Sequence, residues 1–120
     1  MRILFSLARK PLLGHLIGCV FVHLSFLLPV ERIYETKKWL VFYHPKPSYP
    51  VHILLVPKKQ IASLSEIRAA DHPLLLEGLR IAEKIAASQN LQQAGYQLVI
   101  NAGDYQDVAQ IHFHLISGQN

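Results

Sequence analysis

Apolar and polar side chains alternate along residues 108–116, Val-Ala-Gln-Ile-His-Phe-His-Leu-Ile. Alternation of period two is a strand signal, because successive side chains leave a strand on opposite faces. Ala109, Ile111, Phe113 and Leu115 then share the face that goes to the core. Gln110, His112 and His114 share the other. Three readings of that polar face stand at this point. It is a solvated face of an edge strand, a His-x-His metal pair completed by His52 or His44, or a catalytic constellation.

The rest of the chain supplies a sheet and a helix for this strand to join. Trp39–Tyr43 (WLVFY) is aromatic and β-branched, and Val51–Val56 (VHILLV) is a continuous apolar run stopped by Pro57. Both read as strands, the second buried. Between them His44-Pro-Lys-Pro-Ser-Tyr-Pro50 places three prolines in seven residues, a fixed, extended loop. Ser63–Ile67 reads as a short helical turn. Asp71 is a candidate N-cap with Pro73 in the first turn behind it. Leu75, Leu79, Ile81, Ala82, Ile85 and Ala86 recur at helical spacing, so a helix is expected to about Gln89. Asn90–Ala94 reads as polar linker, Tyr96–Ile100 as a strand, and Asn101–Tyr105 as a turn whose Gly103 suits positive φ. Antiparallel strands around one long helix make an α+β domain.

Charge bounds the function. The chain of 120 residues carries a formal net charge of +4, but its first 30 residues hold Arg2, Arg9 and Lys10 and no acid. The remaining 90 residues hold nine basic and eight acidic side chains, so the body is nearly neutral. That argues against a nucleic-acid groove, which needs a clustered basic face. With one cysteine, Cys19, an internal disulfide framework and a multi-cysteine zinc site are excluded.

Residues 1–30 read as a basic then apolar helical segment, set apart from a domain over 31–120. Leu12–Leu28 contains no formally charged residue and is bounded by Pro11 and Pro29. A helix apolar nearly all round is buried or in lipid. Seventeen residues with two histidines fall short of the ~20 that a spanning helix needs, and Leu-Leu-Pro-Val-Glu offers no small-residue cleavage site. The expectation is a helix packed on the domain or on a partner chain, with membrane association through residues 12–28 as the alternative. Gly14 and Gly18 make one GxxxG match, a weak signal alone.

The ordered set of motifs resembles one family. Gln106-x-Val108-x-Gln110-x-His112-x-His114-Leu-Ile is similar to the histidine-triad (HIT) motif, in which three histidines alternate with apolar residues. Upstream, Glu31–Glu35 with Leu40–Phe42 resembles the family's opening strands. Pro50-Val-His52-Ile-Leu-Leu-Val-Pro57-Lys-Lys59 followed by Ile61–Leu64 resembles its most recognisable internal segment, and Asn101-x-Gly103 its turn before the motif. The resemblance spans about residues 31–118 and is nearest to the Hint-like, nucleoside phosphoramidase branch. It implies a HIT-like α+β fold: an antiparallel sheet of about five strands with one long helix, here with the extra apolar N-terminal helix.

It also implies chemistry. His112 occupies the position of the nucleophile that attacks the α-phosphorus of a nucleoside phosphoramidate or related nucleotide, giving a nucleotidyl-histidine that water hydrolyses. His114 matches the third histidine, which contacts phosphate. Asn101 and Gln106 match polar phosphate contacts. Phe42, Pro45 and Leu54 match apolar positions around the nucleoside, although core packing is the simpler reading of Leu54. Neither cofactor nor metal is implied. The implied partners are a purine nucleotide or related phosphorylated small molecule and a second copy of the chain in a homodimer, in the cytoplasm. Three positions depart from the pattern. Gln110 replaces the first histidine, His44 stands where the branch holds the ribose hydroxyls with an acid, and Asp107 replaces a serine. A catalytically weak protein of the same fold that binds nucleotides or other phospho-ligands is the alternative these departures favour.

Overall fold

The computed structural model describes residues 30–118. Five strands form one antiparallel sheet: β1 (Arg32–Glu35), β2 (Trp39–Tyr43), β3 (Val51–Pro57), β4 (Gln97–Ile100) and β5 (Phe113–Ser117), in the order β1-β2-β3-β5-β4. The long helix α1 (His72–Ser88) and the single turn α2 (Leu91–Ala94) lie between β3 and β4 in sequence. The apolar N-terminal run and its boundary at residue 30 lie outside the described residues. Among the described residues no helix is long and apolar enough to cross a membrane.

Register sorts the side chains into two faces. Phe42 pairs with Leu54, and Leu54 with His114. By alternation Leu40, Phe42, His52, Leu54, Val56, His114 and Ile116 therefore share one face. Trp39, Val41, Ile53, Leu55, Phe113 and Leu115 share the other, where Ile81, Ala82 and Ile85 of α1 close the main core. Burying each large apolar side chain there contributes roughly 1.5–3 kcal/mol. The histidines occupy the face away from α1. On that face Leu40, Phe42, Leu54 and Val56 form a second buried cluster.

The main core is tightest at one glycine. Trp39 is fully buried, and its indole N–H donates to the Leu74 carbonyl at 3.1 Å. A Cβ on Gly78 of α1 would stand 2.4 Å from two indole carbons and 2.9 Å from the Phe113 ring. Trp39 packs on Phe113, ring centroids 5.3 Å apart, so neither ring has room to yield. Gly78→Ala is expected to lower stability by about 2 kcal/mol, the cost of overpacking. The gain in helix propensity of ~1 kcal/mol offsets only part of the clash. Urea unfolding measures it, and a neutral or stabilising result would show that α1 slides freely on the sheet.

Several local expectations are corrected. β5 begins at Phe113, so the strand expected over 108–116 is regular only in its second half. Asp71 stands at the N-cap position of α1, with Pro73 in the first turn as expected, but its side chain makes no capping hydrogen bond to the helix. Its carboxylate is 3% exposed, accepts the Arg68 N–H at 3.0 Å and pairs with Lys59, which closes the short turn Ala69–Asp71 before the helix. Residues expected as linker form α2, entered through Asn90 at φ 58°. Gly103 takes positive φ, 61°, as its turn requires.

Candidate active site

The site is organised from behind by Gln110. Its side chain is 1% exposed and makes three hydrogen bonds. Oε1 accepts the Ile61 N–H at 3.1 Å, and Nε2 donates to the carbonyls of Pro57 and Lys59 at 3.0 and 2.8 Å. The Ile111 N–H adds a bond to the Ile61 carbonyl at 2.8 Å. Segment 57–61 leaves the sheet after Pro57, and the Gln110 amide satisfies backbone groups that a ladder would have paired. This is why residues 108–112 are irregular. Gln110 therefore does not share an open face with His114, as strict alternation had it. An imidazole has two ring nitrogens and could make at most two of these three contacts.

The next residue on that segment to carry chemistry is His112. Its Nδ1 lies 2.7 Å from the Gln110 carbonyl oxygen, which can only accept. Nδ1 therefore bears the proton, and Nε2 of the neutral ring keeps a lone pair. Burial pushes the His112 proton affinity below the ordinary histidine value, against the opposing pull of the Gln110 carbonyl and Asp107. The neutral, nucleophilic form is favoured.

The same bookkeeping fixes the other rings. His52 Nδ1 accepts the Ser48 N–H at 3.0 Å, so its Nε2 carries the proton and donates to His114 Nδ1 at 3.0 Å. His114 Nε2 must then carry a proton too. The Asn101 amide lies 3.4 Å from it, and an N–H there calls for the amide oxygen, the group turned by half a rotation. His44 Nδ1 accepts the Lys46 N–H at 3.0 Å, which again leaves the proton on Nε2. The His44 ring stacks on His52 with centroids 4.2 Å apart, and the rings of His112 and His114 lie 4.9 Å apart.

Four clustered imidazoles resist protonation. Burial, with smaller repulsion from His112, His52 and His44, pushes His114 down to about 3. Burial and His44 push His52 to about 4. His44 is lowered by burial and by His112, with Asp107 opposing. In the unfolded chain these groups titrate near the ordinary 6.5. The unfolded state thus binds more protons below that value, and stability is expected to fall as pH drops from about 7 toward 4. Urea titrations across that range check it, and His52→Gln is expected to flatten the slope. A pH-independent midpoint would overturn the neutral cluster.

The rings of His44, His52 and His114 open on a cleft of about 540 Å3 whose walls also include Lys46, Asn101 and Asp107. A larger recess of about 620 Å3 adjoins it past Tyr49, Gln97 and Ile116, but no charged side chain or imidazole lines it. The structure thus brings His44, Asn101 and His114 onto one wall and His112 directly behind His114. Phe42, Leu54, Pro45 and Gln106 do not line this cleft. Phe42 and Leu54 belong to the buried cluster with Leu40 and Val56. Pro45 is half-buried in the proline loop. Gln106 donates to the carbonyls of Ala62 and Val108 at 2.6 and 2.8 Å, tying the 101–108 loop to the segment after β3. Among the described residues no three His, Cys, Asp or Glu side chains are arranged to hold a metal ion. The site residue that alternation undervalued is His52, which entered only as a conceivable metal ligand. Its signal was a histidine inside an otherwise apolar strand.

Comparison with known proteins agrees with this geometry. Residues 27–120 match the HIT domain. An uncharacterised HIT-like protein of Synechococcus elongatus is 39% identical over 95 residues, covering 78% of this chain and 82% of the relative. The crystal structure of a HIT family hydrolase from Legionella pneumophila superposes with a TM-score of 0.78 at 33% identity, over 83% of this chain and 91% of that one. A histidine triad nucleotide-binding protein from Candida albicans superposes at 0.74 with 27% identity, over 87% and 75%. With its sheet order, its histidine cluster and its sequence all in agreement, this chain belongs to the HIT domain family.

Proposed function

We propose that the protein is a hydrolase or transferase of the nucleoside phosphoramidase type, acting on a purine nucleotide derivative through His112 in the cytoplasm. The observation that carries this reading is the 2.7 Å contact between His112 Nδ1 and the Gln110 carbonyl, which leaves Nε2 of the neutral ring unprotonated. The Nε2 lone pair forms a bond to the α-phosphorus. The bond from phosphorus to the leaving group breaks, and its electron pair departs with that group, which takes up a proton. In this reading the His114 Nε2–H and the Asn101 amide N–H donate to the phosphoryl oxygens on which charge develops. The resulting nucleotidyl-imidazolium keeps its Nδ1–H on the Gln110 carbonyl. Names borne by the relatives, a hydrolase and a nucleotide-binding protein, support the class.

A second reading is a binding protein with little turnover. It is favoured by the burial of His112, which is 8% exposed behind His114. Mixing the protein with an adenosine phosphoramidate and quenching within the first turnover separates the two. A nucleotidyl adduct on His112, with free amine, supports the enzyme. AMP binding by calorimetry with neither adduct nor amine supports the binding protein.

The homodimer implied by the resemblance belongs to the same proposal. β4 has one edge with no strand partner among the described residues. Leu76 and Leu79, one turn apart on α1, are 51% and 48% exposed. Sedimentation is expected to give the dimer mass, and Leu79→Lys to shift it toward monomer. A monomer mass for the unaltered chain would discard the proposal.

A further inference from the structure

The proposed cycle has a second half, in which water must displace His112 from phosphorus, and the cluster that holds the nucleophile cannot supply a base for it. His112 Nε2 is then bonded to phosphorus, and its Nδ1–H is held by the Gln110 carbonyl. Both nitrogens of His52 are committed, one to the Ser48 N–H and one to His114. His114 and His44 each spend Nδ1 as an acceptor and bear a proton on Nε2. For either to take a second proton, Nδ1 would have to give up its lone pair and break an existing bond. Burial opposes the charge as well. Lys46 is a cation, and the hydroxyls and amides on the walls are not bases at neutral pH.

One group remains. Asp107 is the only carboxylate among the described residues lining the cleft. It is exposed, so water reaches it. It lines the same cleft as His44 and His114, and its charge favours the protonated form of both His112 and His44. Resting on the nucleophilic reading of His112, we propose that Asp107 is the general base that activates water for hydrolysis of the nucleotidyl-histidine. A carboxylate oxygen of Asp107 takes a proton from water as the water oxygen bonds to phosphorus. The bond from phosphorus to His112 Nε2 breaks, and its electron pair returns to Nε2. The nucleotide leaves, neutral His112 is regenerated, and Asp107 passes the proton to solvent. The same negative charge favours the imidazolium of the intermediate until water arrives.

Rapid-mix kinetics on the full-length protein test this. With an adenosine phosphoramidate, Asp107→Asn is expected to release a burst of amine near one equivalent per site, then to cycle about 100-fold more slowly, the scale of general-base catalysis. The nucleotidyl adduct on His112 is expected to persist in the mass spectrum, and Asp107→Glu to recover part of the steady rate. A position on the exposed loop makes misfolding an unsuitable explanation, and a thermal melt checks it. An Asp107→Asn variant that cycles at the unaltered rate would overturn the proposal. So would loss of burst and steady phase together, which would put Asp107 in the first step. If the unaltered protein forms neither amine nor adduct, the nucleophilic reading itself has failed, and the base falls with it.

Discussion

Replacing His112 with asparagine is expected to lower turnover of an adenosine phosphoramidate by at least about 1,000-fold, the scale on which removal of a nucleophile acts. The tautomer of His112 decides the effect. The Gln110 carbonyl 2.7 Å from Nδ1 forces the proton to that nitrogen, and the lone pair to the other. No other imidazole in the cleft shares this arrangement. His114 and His44 each bear a hydrogen on Nε2, and His52 has no uncommitted nitrogen. Asparagine can still donate to the Gln110 carbonyl, so the backbone over 110–112 keeps its partner and the thermal midpoint should move by only a few degrees. Affinity for AMP, measured by calorimetry, should change far less than kcat. If turnover survives, attack comes from another group, and the assignment of tautomers around His114 is wrong. If affinity and turnover fall together, His112 is a binding group.

How much of this site was legible in the sequence depends on the range of the interaction that builds it. Alternation is local, and it separated Phe113 and Leu115, which meet α1, from His114, which meets the cleft. The run from Trp39 to Tyr43 and the stop at Pro57 are likewise local and give β2 and β3 their observed bounds. His52 was harder. Its role comes from the register of β3 on β5, a contact between residues 62 positions apart in the chain. Position alone made it one apolar-strand histidine among others. The start of the helix was legible in Asp71 and Pro73, but not the use of the carboxylate: Asp71 stands at the N-cap position while Lys59 and the Arg68 N–H take its side chain. Phe42 and Leu54 match nucleoside contacts by resemblance; the pleat puts them on the histidine face, packed there with Leu40 and Val56. The departures from the family pattern were visible as letters, and only the folded chain gave them physical content. Gln110 has three backbone partners, His44 stacks on His52, and the charge of Asp107 raises the proton affinity of His112.

Gln110→Leu is expected to cost about 3 kcal/mol of stability, because it leaves three backbone groups without partners, two of them in buried contacts, at ~1–3 kcal/mol for each group that water cannot reach. Leucine fills most of the volume, so the loss is one of hydrogen bonds and not of packing. Urea unfolding measures it directly. The substitution is also expected to lower kcat more than it raises KM, because the Gln110 carbonyl orients His112 and the side chain holds that carbonyl in place. Gln110→His is the sharper case. It restores the residue that the family motif has at this position, and on motif alone it should improve activity. On the geometry it should not. An imidazole cannot serve the Ile61 N–H, the Pro57 carbonyl and the Lys59 carbonyl at once. At least one group is left unsatisfied, and stability is expected to fall by about 1–2 kcal/mol, with turnover unchanged or lower. A gain in both stability and turnover would mean that segment 57–61 readily readjusts to two bonds, and that glutamine is a defect here. A loss in both would mean that the chain has built its nucleophile's support around an amide, so that position 110 and segment 57–61 can only be exchanged together.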